Sequence, residues 1–339
     1  MTPDRFESIA RNYQKLRFGI VGDFCLDRYL EIDAARAEVS IETGLPVHNV
    51  VRVRPQPGGA GTVLNNLAAL GIRTIYPLGF AGEDGEGYEL RRALGAIRGV
   101  CLDYFAQTPL RQTFTYCKPL LFEAGHLPRE LSRLDQKNWS PTPPSVTQPL
   151  NVSLREVWPR VDALILLSQV DVPGTGVITE ALLQAVRILA KGDPDKLVVA
   201  DSRHGLSGFP TVTFKMNVSE FSALAGVPAT ADLAELGNAA TAMANGLGRP
   251  VVVTLAERGI LGAEPGAAYE HVASLPLRGE IDIVGAGDAV TANFGAASAA
   301  GASMLEALEI ANAAGSIVIH QLGTTGVASV EQLRDLLLR

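Results

Sequence analysis

Short runs of β-branched and aliphatic residues, separated by longer helical patterns, recur along almost the whole chain. No other feature constrains the fold as strongly. FGIVGD is followed by NNLAALG, TIYPLGFAG by YELRRALGAI, ALILLSQ by ITEALLQAVRILAK, and then come KLVVADS, VVVTLAERG and two long alanine-rich segments. The short runs are apolar throughout, as strands covered on both faces must be. The pattern predicts an α/β fold: a doubly wound, mostly parallel sheet with helices on both faces. Ligands of such sheets bind beyond the carboxyl ends of the strands, which singles out Asp23, Asp84, Asp201 and Asp288, the acids that follow strand runs.

Two stretches break the rhythm. From about residue 28 to 57, and again from about 105 to 135, polar and apolar residues alternate, as in half-exposed strands. They are expected to pair as a small second sheet, a lid over the ligand crevice, inserted in a single domain spanning 1–339. Open lid edges invite pairing with a second copy, so a homodimer through the lid is expected. The proline-rich tract WSPTPPSVTQP reads as a loop between lid and core.

With 339 residues, 47% hydrophobic and 19% charged, the chain has enough apolar side chains for a substantial core. A net charge of -7, without clustered Lys and Arg, argues against a nucleic-acid partner and in favour of small ligands. Three scattered cysteines make neither a disulfide framework nor a zinc site, and the five histidines show no metal-ligand spacing. The N-terminus is charged and lacks an apolar export core, and no run is apolar enough for a membrane span, so a cytoplasmic protein is expected.

The chemistry centres on IDIVGAGDAV. If the run before Gly285 is a strand and the stretch after it a helix, Gly285, Ala286 and Gly287 form a turn whose N–H groups point at one spot, fit for an anion. Asp288 beside that spot either caps the helix or takes a proton, as a carboxylate does in phosphoryl transfer to an alcohol. In KMNVSEF, Asn217 and Glu220 are three residues apart, where one turn brings amide and carboxylate to the same side, and both suit a hydrated magnesium ion. They also suit a helix cap, with the helix beginning at Glu220. The glycines of PGGAGTVLNN match neither a dinucleotide fingerprint nor a P-loop. They favour close approach of backbone to a polyhydroxylated ligand, with Asn66 on the following helix as donor and acceptor.

Together these residues resemble the ribokinase-like, or PfkB, family of carbohydrate kinases, over essentially the whole chain. DIVGAGDAVTANFGAASAAG is similar to the family's second signature. The resemblance implies Asp288 as catalytic base, with the backbone of Gly285, Ala286 and Gly287 as anion hole, and Asn217 and Glu220 as organisers of magnesium and nucleotide phosphates. It places Thr254, Glu257 and Gly259 in the nucleotide site, Asn312 near adenine, and Asp23, Asp27, Gly58 and Gly59 against substrate hydroxyls. ATP and Mg2+ are the implied cofactors, with K+ near Asp282. Within the family, GDFCLDRYL, SIETGLPV, SRLD and QLGTTGVAS resemble the branch that phosphorylates heptose 7-phosphate at its anomeric hydroxyl. Thr62, Val284 and LSQVDVPG depart from that branch near the implied sugar and monovalent-ion sites. An already phosphorylated substrate would call for positive charge on the lid, for which Arg52, Arg54, Arg111 and Lys118 are candidates. The alternatives to a sugar or sugar-phosphate kinase are a kinase for a nucleoside and a non-catalytic sugar or nucleotide sensor with the same fold.

Overall fold

The computed structural model describes residues 1–338. A nine-stranded sheet carries the fold. Across it the strands run Glu270–Val272, Ile260–Ala263, Val251–Thr254, Thr213–Asn217, Leu197–Ser202, Ala163–Ser168, Arg17–Gly22, Thr74–Gly82 and Phe105–Thr108. From Val251–Thr254 to Phe105–Thr108 every pairing is parallel, and the two remaining strands are antiparallel. Ala163–Ser168 is buried along its whole length because both faces are covered. Ile165 and Leu167 point into one core, with the alanine-rich helices Ala286–Ala299 and Met304–Val318. Leu164 and Leu166 point into the other, with Pro144–Val157 and Glu180–Gly192. The doubly wound sheet expected from the apolar runs is therefore present.

A second sheet forms the lid. Its strands lie in the order Leu134–Gln136, Thr115–Phe122, Phe24–Asp33 and Val50–Gly59, with Arg129–Glu130 added to Thr115–Phe122. Phe24–Asp33 runs parallel to Thr115–Phe122 and antiparallel to Val50–Gly59. The expected lid boundaries need two corrections. The first lid strand starts at Phe24 rather than near residue 28, with only Asp23 between it and the end of the main-sheet strand Arg17–Gly22. Phe105–Thr108 is the last strand of the main sheet, where Phe105 packs edge-on against Phe24 with ring centroids 5.3 Å apart. Arg28 braces the lid against the helix Gly85–Gly95 through a fork to Glu89, both contacts 2.9 Å.

The proline-rich tract is also not wholly a loop, because a helix begins inside it at Pro144. Proline at the first helical position costs no hydrogen bond, and Val146, Leu150, Leu154 and Val157 supply a buried stripe at helical spacing that outweighs the interior Pro149. Among the described residues no helix is long and apolar enough to cross a membrane.

Candidate active site

The order of the main sheet reverses between Arg17–Gly22 and Ala163–Ser168, and the carboxyl ends of the parallel strands all open on that side. Asp23 sits at this switch point. Its Oδ2 accepts the N–H groups of Gln169 (2.8 Å) and Val170 (3.3 Å), and its Oδ1 accepts that of Val177 (2.7 Å). Burial raises its pKa, opposed by these three bonds. Asp23, expected against substrate hydroxyls, holds the loop 169–177, which carries all of LSQVDVPG but its first two residues.

Asp27, four residues on, is different. It is 4% exposed and lies 3.0 Å from the Lys118 ammonium, itself within 3.4 Å of the Tyr29 hydroxyl. Burial acts to lower the Lys118 pKa, and Asp27 and Tyr29 together more than offset it, so the lysine stays charged. Gly58 pairs across from Cys25, and a Cβ there would stand 2.6 Å from Asp27 Oδ2; only glycine leaves that carboxylate its place. Gly59, at φ 57, turns the chain into the helix Ala60–Ala69.

Asn66, expected beside the substrate, has its polar atoms engaged within the protein. Its amide donates to the carbonyls of Thr62 (3.0 Å) and Gly326 (3.3 Å), and its oxygen accepts the Ala328 N–H (3.2 Å). It is fully buried and anchors the C-terminal loop, whose Thr324 meets Gln56 at 3.1 Å. The lid cations divide in the same way. Arg111 donates to the carbonyls of Ser140 and Thr175 and holds those loops together, Arg54 lies 2.6 Å from Glu31, and only Lys118 adjoins the crevice acids.

The glycine turn leads into the helix Ala286–Ala299, with Gly285 in the left-handed region at φ 82. One expected donor is unavailable, since the Ala286 N–H closes the turn onto the Ile283 carbonyl at 3.2 Å. The N–H groups of Gly285, Gly287 and Asp288 have no partner among the described residues. Nor does the Asp288 carboxyl, so it caps nothing. Its pKa is raised to about 7, by burial first and by the Asp201 charge second, with Lys215 opposing and Asp27 adding to the rise.

Asp201 was singled out from the sequence as an acid after a strand run, but its partner Lys215 was not. Lys215, inside Thr213–Asn217, is 4% exposed and pairs with Asp201 at 2.8 Å; Thr291 of the alanine-rich helix donates to the same Asp201 oxygen at 2.7 Å. The signal was there: a lysine in the apolar run VTFKM that doubly covered strands should not contain.

On the other side of the turn, Asn217 and Glu220 form a reciprocal capping box at 2.9 and 2.8 Å, and the helix begins at Val218 rather than Glu220. Glu220 uses one oxygen for the cap and keeps the other without a protein partner among the described residues. Burial raises its pKa, and the charges of Asp201 and Lys215 also act on it. One free carboxylate oxygen beside an amide fits a magnesium ion that keeps most of its waters. No cluster of three or more His, Cys, Asp or Glu suited to a metal exists among the described residues. Thr254 ends its strand, and Glu257 lies in the short turn that follows. Gly259, at φ 93, brings its backbone so near Val272 and Ala273 that no side chain fits. Asn312 donates to the Ala273 carbonyl at 2.8 Å. Asp282 accepts the Val284 N–H at 3.0 Å in the segment before the glycine turn.

Comparison with known proteins agrees with this layout. A model of the "pfkB family carbohydrate kinase" matches residues 180–331. Bifunctional protein HldE of Magnetococcus marinus is 31% identical over 94% of this chain and 63% of its own length; that of Bradyrhizobium sp. is 30% identical over 98% and 66%. The chain thus spans just under two thirds of these relatives. Among solved structures, phosphofructokinase-2 from Escherichia coli in complex with substrates and products gives a TM-score of 0.72 at 19% identity, covering 95% of this chain and 98% of its own. Arabidopsis thaliana ribokinase complexed with ribose and ATP gives 0.66 at 22%, with the same coverage. Both share the fold. On the family model and the HldE relatives, this chain belongs to the PfkB family of carbohydrate kinases.

Proposed function

We propose that the chain transfers the γ-phosphoryl group of ATP to a hydroxyl of a sugar phosphate, with Asp288 as the base. The observation that carries this reading is the state of Asp288. It is a carboxyl without a protein partner, beside free N–H groups at a helix N-terminus, with its pKa raised to about 7. A base poised there takes a hydroxyl proton near neutral pH, and the adjacent amides stabilise the charge on the transferring group. The hydroxyl oxygen bonds to the γ-phosphorus, the bond from that phosphorus to the β-bridging oxygen breaks, and the hydroxyl proton passes to Asp288. Magnesium, held through water by Glu220 and Asn217, would neutralise phosphate charge.

Asp27 and Lys118 are the acceptor-side pair, the carboxylate for hydroxyls and the ammonium for an anionic group. The acceptor we favour is heptose 7-phosphate at its anomeric hydroxyl. Supporting it are the resemblance of GDFCLDRYL and QLGTTGVAS to that branch and the HldE relatives. ADP release over a panel of sugars, sugar phosphates and nucleosides, with ATP and magnesium, tests both levels. The highest kcat/KM is expected with heptose 7-phosphate. Turnover confined to nucleosides would remove the acceptor assignment, and no turnover with any acceptor would remove the kinase.

The lid also suits a second copy of the chain. Val50, Val51 and Val53, on a strand at the edge of the lid sheet, are exposed, as are Val39, Ile41 and Leu45 nearby in the sequence. Such an edge is expected to pair, giving a homodimer. Light scattering at micromolar concentration should return twice the chain mass, and a monomer would dismiss the dimer.

A further inference from the structure

Lys215 is a buried ammonium with only part of its donor capacity in use. Of its three hydrogens one serves Asp201, at 2.8 Å, and no other acceptor among the described residues takes the remaining two. Its Nζ lies against the glycine turn, 3.3 Å from where a Cβ on Gly287 would stand. A side chain at position 287 would therefore crowd the ammonium, and glycine leaves the two in open apposition. Asp201 is fixed in turn: Thr291 donates to it at 2.7 Å and to the Gly287 carbonyl at 3.0 Å, tying the carboxylate to the same helix turn that carries the free N–H groups. Lys215 and Asp201 form a close ion pair, with both side chains less than a tenth exposed. Burying two charges is costly unless they are well paired, and a strand core fills as well with apolar side chains. A pair kept there with donors to spare faces something anionic.

We propose that Lys215 is a catalytic cation: its ammonium and the N–H groups of Gly287 and Asp288 together seat a non-bridging oxygen of the transferring phosphoryl group. Asp201 is its positioning residue, holding the ammonium at the turn, and Thr291 holds Asp201. This rests on the kinase reading above and adds a side-chain charge to a cradle otherwise made of backbone. The charge acts where negative charge is shared among attacking, transferred and leaving oxygens, so its effect falls on turnover and on the terminal phosphate of the nucleotide.

The obvious variant, Lys215→Met, leaves the Asp201 carboxylate buried without a counter-ion and risks unfolding for that reason alone. The decisive variant is therefore the neutral pair Asp201→Asn/Lys215→Met, in which the asparagine oxygen still accepts from Thr291. It is expected to melt close to the parent chain, with kcat lowered by about 10²–10³-fold, the usual loss when one transition-state donor is removed. By calorimetry with magnesium, AMP-PNP should bind about tenfold more weakly to the pair variant while ADP binds as before, since only AMP-PNP reaches the seat. Parental kcat in the pair variant would show a purely structural ion pair and overturn the proposal. So would equal changes, or none, in the two affinities, even though the kinase reading would stand. A parent chain that binds neither nucleotide overturns the kinase reading and the seat together.

Discussion

Asp288→Asn is expected to lower kcat by about 10²–10⁴-fold, the range over which a positioned general base contributes, with nucleotide affinity nearly unchanged. In the parent chain kcat/KM should rise with pH through about 7, because the base works only as the carboxylate and its pKa is raised to that value. The same shift acts on stability with a definite sign. The folded-state value lies above the ordinary 3.8, so the contribution of Asp288 is fully present below about pH 4 and is lost as pH rises through 7. Asparagine carries no charge to bury. The variant should therefore be more stable than the parent at pH 8, by about 4 kcal/mol at most, with the gain vanishing toward pH 4. Urea unfolding at the two pH values, alongside steady-state kinetics, checks both halves. Equal turnover in the variant would remove Asp288 as the base, and a gain independent of pH would remove burial as the cause of its shift.

Lys118→Met should cost stability and substrate affinity together. It leaves the Asp27 carboxylate, 4% exposed, without the ammonium now 3.0 Å away. Uncompensated charges of this kind destabilise by roughly 3–5 kcal/mol. If Lys118 also meets an anionic group of the sugar, KM for the sugar phosphate rises. Asp27→Asn/Lys118→Met separates the two effects: stability should return while KM stays high. Recovery of KM along with stability would show that the pair only holds the lid strands together.

The layered fold was legible because doubly covered strands need unbroken apolar runs, and such runs are visible in ALILLS or VVVT without knowing what covers them. Which sheet a half-exposed strand joins is a different matter. Alternation looks the same in Phe105–Thr108 and Thr115–Phe122, yet the first closes the main sheet and the second builds the lid. The glycine turn and Asp288 were legible as glycines leading into an apolar helix, but the strand expected before Gly285 is not there: among the described residues no strand lies between Glu270–Val272 and the helix Ala286–Ala299. Asn66 was not legible, because its partners Gly326 and Ala328 arrive from the far end of the chain. Lys215 and Asp201 sit on neighbouring strands and meet only once the sheet order is known. The amides that Asp23 accepts from could not be read either, because the loop 169–177 lies far along the chain from it.

That last residue has a mechanical consequence. One residue separates the body strand Arg17–Gly22 from the first strand of the lid, and this joint is bolted through three amides to the loop 169–177. The other end of this lid hairpin is as tight, since Gly59 passes directly into the helix Ala60–Ala69. A tilt that brings Asp27 and Lys118 toward a guest is therefore expected to load this joint and, through Asp23, the loop on the opposite wall.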